Sequence, residues 1–220
     1  APRLPLPVPA PIRTGVPGCG YPWPWSVCPW FPGEPASPRP PADGARAARD
    51  LGGFLAALHR PAPDDAPANP FRGVPLAARD DRFRDAIGHL ADRPDRLAPQ
   101  TRTWATERWD QLRGTPPWSG PPVWLHGDLH PHNLLVHRGL LHAVIDFGDL
   151  TAGDPATDLA VAWMLLDAPG REVLRAAAGA DDATWARAEA WAVALAVAYL
   201  EGSPDGSPML DVAHRTLAEL

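Results

Sequence analysis

The stretch His126-Gly127-Asp128-Leu129-His130-Pro131-His132-Asn133, with Ile145-Asp146-Phe147-Gly148-Asp149 shortly after it, decides how this chain is read. Val123-Trp124-Leu125 just upstream is short and apolar, the pattern of a buried strand. Leu134–Val136 and Leu140–Ile145 flank Arg138-Gly139, a hairpin signal. Asp128 therefore stands just after one strand, and Asp146 ends another. A tight hairpin turn brings Asn133 and Asp146 to the same end of the paired strands. Two carboxylates and one amide oxygen then converge. Hard oxygen ligands of that kind suit Mg²⁺, which keeps several waters and bridges phosphates.

Downstream the period becomes helical. Asp154 reads as an N-cap, with Pro155 at the first helical position. Residues 155–167 are apolar almost all round and predict one central helix, and 182–200 and 208–219 predict two more. Upstream, Leu51, Phe54, Leu55 and Leu58 share a face of a helix over 45–59, where terminal His59 is expected to cap carbonyls. Residues 79–91 and 101–113 repeat the helical period. Residues 60–76 read as a loop. Most of the ten tryptophans are expected in the core, and Cys19 and Cys28 are expected to be inert.

Thirty of the 220 residues are proline, and fourteen of these fall within residues 1–42, too densely for a helix of any length. Tyr21–Val27 can still be an edge strand, because Pro22 and Pro24 face the same side. Trp23, Trp25 and Val27 would then share the face that packs on a core. Gly15, Gly18 and Gly20 read as a turn.

All 20 basic residues are arginine, so a Walker P-loop and a lysine Schiff base are excluded for this sequence. A net charge of −6 argues against nucleic-acid binding. No apolar run approaches the roughly 18 residues of a membrane span. Two cysteines make no disulfide framework, which predicts a cytoplasmic setting. The start, Ala1-Pro2-Arg3-Leu4-Pro5, has no signal-peptide pattern and no initiator Met, so a fragment of a longer chain is expected.

His126-Gly127-Asp128 with Leu129-His130-Pro131 and Asn133, then Asp146-Phe147-Gly148, resembles the catalytic loop and metal-binding triplet of kinase-like phosphotransferases. His126-Gly127-Asp128 with Leu129-His130-Pro131 looks like the aminoglycoside phosphotransferase (antibiotic kinase) family. Gly153-Asp154-Pro155-Ala156-Thr157-Asp158-Leu159-Ala160 and the segment Gly20–Val27 extend the resemblance over most of the chain.

The resemblance implies an α+β, protein-kinase-like fold. It would be a mainly helical C-lobe (43–220) with a small β-hairpin insertion, preceded by a proline-rich N-lobe remnant with the last N-lobe strand and the hinge (1–42). It implies ATP or GTP as donor, Mg²⁺, and a small hydroxyl-bearing acceptor. Asp128 would orient or deprotonate the acceptor hydroxyl. Asn133 and Asp146 would hold the metal. His126 would brace the loop, and Asp158 would accept hydrogen bonds from its backbone. Cys28, Pro29, Trp30 and Phe31 would form the hinge that meets the adenine.

The family's glycine-rich loop, phosphate-gripping lysine and helix glutamate have no counterpart here, so weak or absent transfer is expected of the chain as given. An apolar face left by the missing lobe predicts self-association. A non-catalytic, pseudokinase-like binding module is the alternative. A zinc hydrolase using the histidines around Asp128 is a third reading.

Overall fold

The computed structural model describes residues 2–220. The proline-rich arm first runs along the body of the protein: Leu6 is buried, Leu4 and Val8 pack on the core, and the Val144 amide donates to the Pro7 carbonyl at 3.0 Å. The arm then leaves the core as a two-stranded antiparallel ribbon of β1 (Arg13–Gly15) and β2 (Trp25–Val27), with Arg13 opposite Val27. The Gly18–Tyr21 segment between them is a turn closed by a bridge.

This corrects the reading of Tyr21–Val27. Only Trp25–Val27 is strand, and Trp23, Trp25 and Val27 are exposed. The ribbon has only two strands, and all three residues of β2 are exposed, so alternation along it buries nothing. The Trp25 ring lies instead over Gly15 of the partner strand, where a Cβ would collide with it. Trp109, Trp163 and Trp191 are in the core as expected, whereas Trp30 is almost fully exposed.

β3 (Glu34–Pro35) leads to α1 (Gly44–Leu58), whose first turn is capped by Asp43 accepting from the Arg46 amide at 2.9 Å. A 3-10 turn at Leu76–Arg79 then feeds α2 (Asp80–His89), and α3 (Pro99–Leu112) follows. Next come β4 (Val123–Leu125), β5 (Leu134–His137), β6 (Leu140–Val144) and β7 (Thr151–Gly153). β5 is the middle strand of an antiparallel β3–β5–β6 sheet, and β4 pairs with β7. Arg138 and Gly139, at φ 52° and 78°, make the primed turn that matches the twist of the β5–β6 hairpin.

Five helices close the chain: α4 (Ala156–Leu159), α5 (Val161–Leu165), α6 (Ala168–Ala178), α7 (Asp182–Gly202) and α8 (Pro208–Glu219). The single helix expected over 155–167 is thus two short ones, followed by a helix the sequence reading did not contain. Pro169 explains the break near Leu166, since it has no N–H to donate back to the preceding turn. Asp167 restarts the chain by accepting from the Gly170 amide at 2.9 Å, and left-handed Gly179 ends α6.

α7 is the axis of the molecule. It is buried continuously from Ala190 to Val197, and α2, α3, α4 and α8 pack around it. Asp154 does accept the Ala156 amide at 3.0 Å, but its larger role is a buried ion pair with Arg187 of α7, at 2.7 Å.

Candidate active site

Four elements converge around the 126–133 loop: the end of β4, the start of β5, the end of β6, and α4. The loop hangs on one buried carboxylate. Asp158 of α4 accepts the His126 amide at 2.8 Å (Oδ2) and the Gly127 amide at 2.9 Å (Oδ1). A third donor is His59, whose Nε2 lies 3.1 Å from Oδ2. His59 therefore does not cap carbonyls, as its place at the end of α1 suggested; its side chain turns to the carboxylate instead. Burial pushes the Asp158 carboxyl up, but His59, His126 and the Gly127 amide outweigh it and hold the group below its ordinary range. Ionised Asp158 has no proton to give, so His59 Nε2 must be the donor.

His126 closes the other side of the loop. Its Nε2 donates to the Ile145 carbonyl at 2.9 Å, and its Nδ1 accepts the Asp128 amide at 3.3 Å. The two partners together fix the tautomer, because the carbonyl can only accept and the amide can only donate. Gly127, at φ 86°, sits against the Asp149 carbonyl, where a Cβ would clash.

Asp128 is part-buried, with its carboxylate between a guanidinium and an imidazole. Arg72 Nη2 is 3.3 Å from Oδ1, and His130 Nε2 is 3.4 Å from Oδ2. Burial raises its pKa, and His130 and Arg72 more than reverse that, so the group lies below the usual carboxylate range. It is ionised at neutral pH. Tyr199 of α7 stands nearby, and burial plus the charge of Asp128 push its phenol well up. Burial and His130 lower the pKa of His132.

Asn133 Nδ2 donates to the Asp128 carbonyl at 2.9 Å, and the Asn133 carbonyl accepts the Ile145 amide at 2.9 Å. Asn133 thus couples the loop to the strand that delivers Asp146. Asp146 is exposed, with φ 63°, a left-handed conformation that Asp tolerates. Its one partner among the described residues is the Gly148 amide, at 3.4 Å. The Asn133 side-chain oxygen accepts no hydrogen bond from the described residues. Two hard oxygen donors are thereby left open, a donor set that fits Mg²⁺.

Cys28–Phe31 follow β2 without regular structure. Trp30 is exposed, Phe31 meets His142 edge-on at 6.5 Å, and none of the four bonds to the Asp128 loop. Among the described residues no three His, Cys, Asp or Glu side chains group as a metal site, so the zinc reading has no ligand set.

Arg72, His59 and Tyr199 were missed by sequence reasoning. His59 ends a helix and Arg72 lies in a proline-rich loop, where no periodicity marks a side chain. The one local signal for Arg72 is the adjacent Gly73, at φ 67°, whose amide donates to Thr157 Oγ1 at 3.0 Å.

A helical lobe with a β-hairpin, an Asp–Asn loop and a following Asp-Phe-Gly defines the class of kinase-like phosphotransferases. The chain matches the phosphotransferase enzyme family (APH) over residues 1–191 and belongs to it. No curated protein matches the sequence. Among solved structures, it resembles the macrolide 2'-phosphotransferase MphH from Brachybacterium faecium (apoenzyme) at 23% identity and TM-score 0.55, covering 91% of this chain and 68% of that one. It resembles the GDP complex of aminoglycoside 2'-phosphotransferase-IIIa at 20% identity and TM-score 0.65, covering 99% and 77%. An ADP-bound aminoglycoside phosphotransferase APH(2'')-Ib matches at 17% identity and TM-score 0.52, covering 98% and 76%. These likenesses show the fold: α+β and kinase-like. Among the described residues, no helix is long and apolar enough to cross a membrane.

Proposed function

We propose that this chain is the C-lobe and hinge (43–220 and 1–42) of an ATP- or GTP-dependent O-phosphotransferase acting on a small hydroxyl compound. The observation that carries the reading is Asp128: an ionised, part-buried carboxylate on a loop braced by Asp158 and tied through Asn133 to the strand of Asp146. The GDP and ADP in two structural relatives support a nucleotide donor. Kanamycin and gentamicin in two others support a small hydroxyl-bearing acceptor.

Asp128 accepts the hydroxyl proton of the acceptor in a hydrogen bond and aims its oxygen at the γ-phosphorus. The new O–P bond forms as the bond to the β–γ bridging oxygen breaks, and the proton passes to Asp128 or solvent. Asn133 and Asp146 would hold Mg²⁺, which would supply charge neutralisation for the transferring phosphate. His126 and Asp158 position the loop, and most of the rate comes from such positioning and charge placement. Cys28–Phe31 offer backbone to the nucleotide base.

The test pairs two measurements on the protein. Calorimetric titration with ATP should show Mg²⁺-dependent binding that Asp146→Asn removes. Asp128→Ala should abolish transfer but spare nucleotide binding, and retained turnover in that variant overturns the role. A second reading, nucleotide binding without transfer, is favoured by the absence of lysine from the sequence. Binding with no turnover in the unmodified protein selects it.

A nucleotide-using reaction and two unpaired cysteines support a cytoplasmic setting. Exposed Trp23, Trp25 and Trp30 support self-association through the arm. Sedimentation velocity should then show a concentration-dependent dimer that serine substitutions at the three positions remove.

A further inference from the structure

Beside Asp128 lies a cavity of about 280 Å³, between loop 69–72, the start of α2 and one face of α7. Arg72, Arg79 and Arg82 line it. Two of the three have carboxylate partners: Arg72 reaches Asp128 at 3.3 Å, and Arg82 reaches Glu201 at 2.6 Å. Arg79 is 8% exposed and forms no ion pair or side-chain hydrogen bond among the described residues. The Nε atoms of Arg79 and Arg72 are buried without partners. The Arg79 guanidinium lies instead over two rings, 6.0 Å from Phe71 and 5.7 Å from Trp191. Burial, with Arg72 and Arg82 close by, lowers its pKa. The one carboxylate lining the cavity, Asp149, is engaged by Asn69 Nδ2 at 3.1 Å.

A buried cation without a counter-charge is costly, and native proteins pair such groups or reserve them for a ligand. A guanidinium flanked by aromatic rings offers its donors in a fork that fits a carboxylate or phosphate. A polycation entering the same space would meet three like charges. The volume lies near the lower end of ligand pockets, roughly 300–1,000 Å³, and so suits a small acid or the acidic end of a larger molecule.

We propose that this cavity binds an anionic group of the acceptor, a carboxylate or phosphate, through Arg79. The acceptor is then a hydroxy acid or a phosphorylated alcohol rather than a polycationic aminoglycoside. The proposal rests on Asp128 being the residue that meets the acceptor hydroxyl: Arg72 touches both Asp128 and the cavity, so one ligand can place its hydroxyl at the first and its charge in the second.

The test is direct binding at constant ionic strength, by calorimetry on the unmodified protein, with four probes: D-glycerate, glycerol 3-phosphate, glycerol and kanamycin. At least one anion should bind tenfold or more tightly than glycerol and kanamycin. Tighter glycerol 3-phosphate assigns phosphate, and tighter D-glycerate assigns carboxylate. Arg79→Gln should weaken the anion at least tenfold, and Arg79→Lys should restore part of the loss.

If Arg79→Gln does not fold, the more exposed Arg82→Gln takes its place and should weaken the anion severalfold. Kanamycin binding as tightly as the anions, no anion binding, or anion binding unchanged in the folded variant overturns the proposal. Transfer to kanamycin without anion binding would leave phosphotransfer standing and remove this inference. Arg79-dependent anion binding without any turnover would do the reverse.

Discussion

Asp158 shows how much one side chain can organise. It is fully buried, yet it satisfies two loop amides and an imidazole at once. Removing one partner of a buried charged network costs about 3–5 kcal/mol, because the others are left unpaired. Asp158→Ala should therefore lower stability by about that much in urea unfolding. The group is held below its unfolded value near 3.9, so its contribution is fully present above that value. It is lost as pH falls through the lower folded value. The stability of the unmodified protein should thus fall more steeply below about pH 4 than that of Asp158→Ala. Asp128→Asn should leave stability nearly unchanged and lower kcat by about 10²–10⁴, measured as phosphate transfer at saturating nucleotide. Asp158 was visible in the sequence as a charge inside an apolar helix. Its partner His59 lies 99 positions away, and nothing in a one-dimensional pattern pairs them.

Helix packing adds a constraint that periodicity does not carry. Leu51, Phe54, Leu55 and Leu58 marked the buried face of α1, and that face is buried. The closeness of α1 to α6 depends on Gly52, however, where a Cβ would come within 2.6 Å of the Ala177 Cβ and 2.8 Å of the Leu174 carbonyl. A Cβ on neighbouring Gly53 would meet nothing within 4 Å beyond its own turn of helix. The same substitution should then have opposite signs at adjacent positions. Gly52→Ala overpacks the interface and should cost about 1–3 kcal/mol. Gly53→Ala removes glycine from a helix interior and should gain about 0.5–1 kcal/mol. Thermal melts resolve both, at roughly 2–4 °C per kcal/mol for a chain of this size. The β5–β6 hairpin was legible because its turn chemistry is local. α6 was overlooked although its cap Asp167, its Pro169 and its terminal Gly179 are all in the sequence. Continuous apolar character before it hid the restart, since a buried helix and a broken one bury the same residues.

Across the whole molecule, the order of helices and hairpin could be read from the sequence, but the fastening between distant segments could not. Arg187 illustrates this. From α7 it pairs with Asp154 at the β7–α4 junction, donates to the Pro116 carbonyl at 3.0 Å, and lies 5.8 Å from the Trp118 ring. One guanidinium thus holds three segments separated by 33 and 71 positions. Asp154 in turn donates its amide to the Gly73 carbonyl at 2.9 Å, which joins the same knot to the loop bearing Arg72. Both side chains are almost wholly buried, so the balance between attraction and desolvation decides the outcome. Arg187→Met leaves Asp154 as an unpaired buried charge and should cost about 3–5 kcal/mol. The double variant Asp154→Leu with Arg187→Met removes both charges and should recover most of that loss, because the pair's attraction mainly offsets its own desolvation. Equal losses in the single and double variants would instead assign the stabilisation to the Arg187–Pro116 hydrogen bond that both variants remove. A coupling energy from the full cycle separates the two.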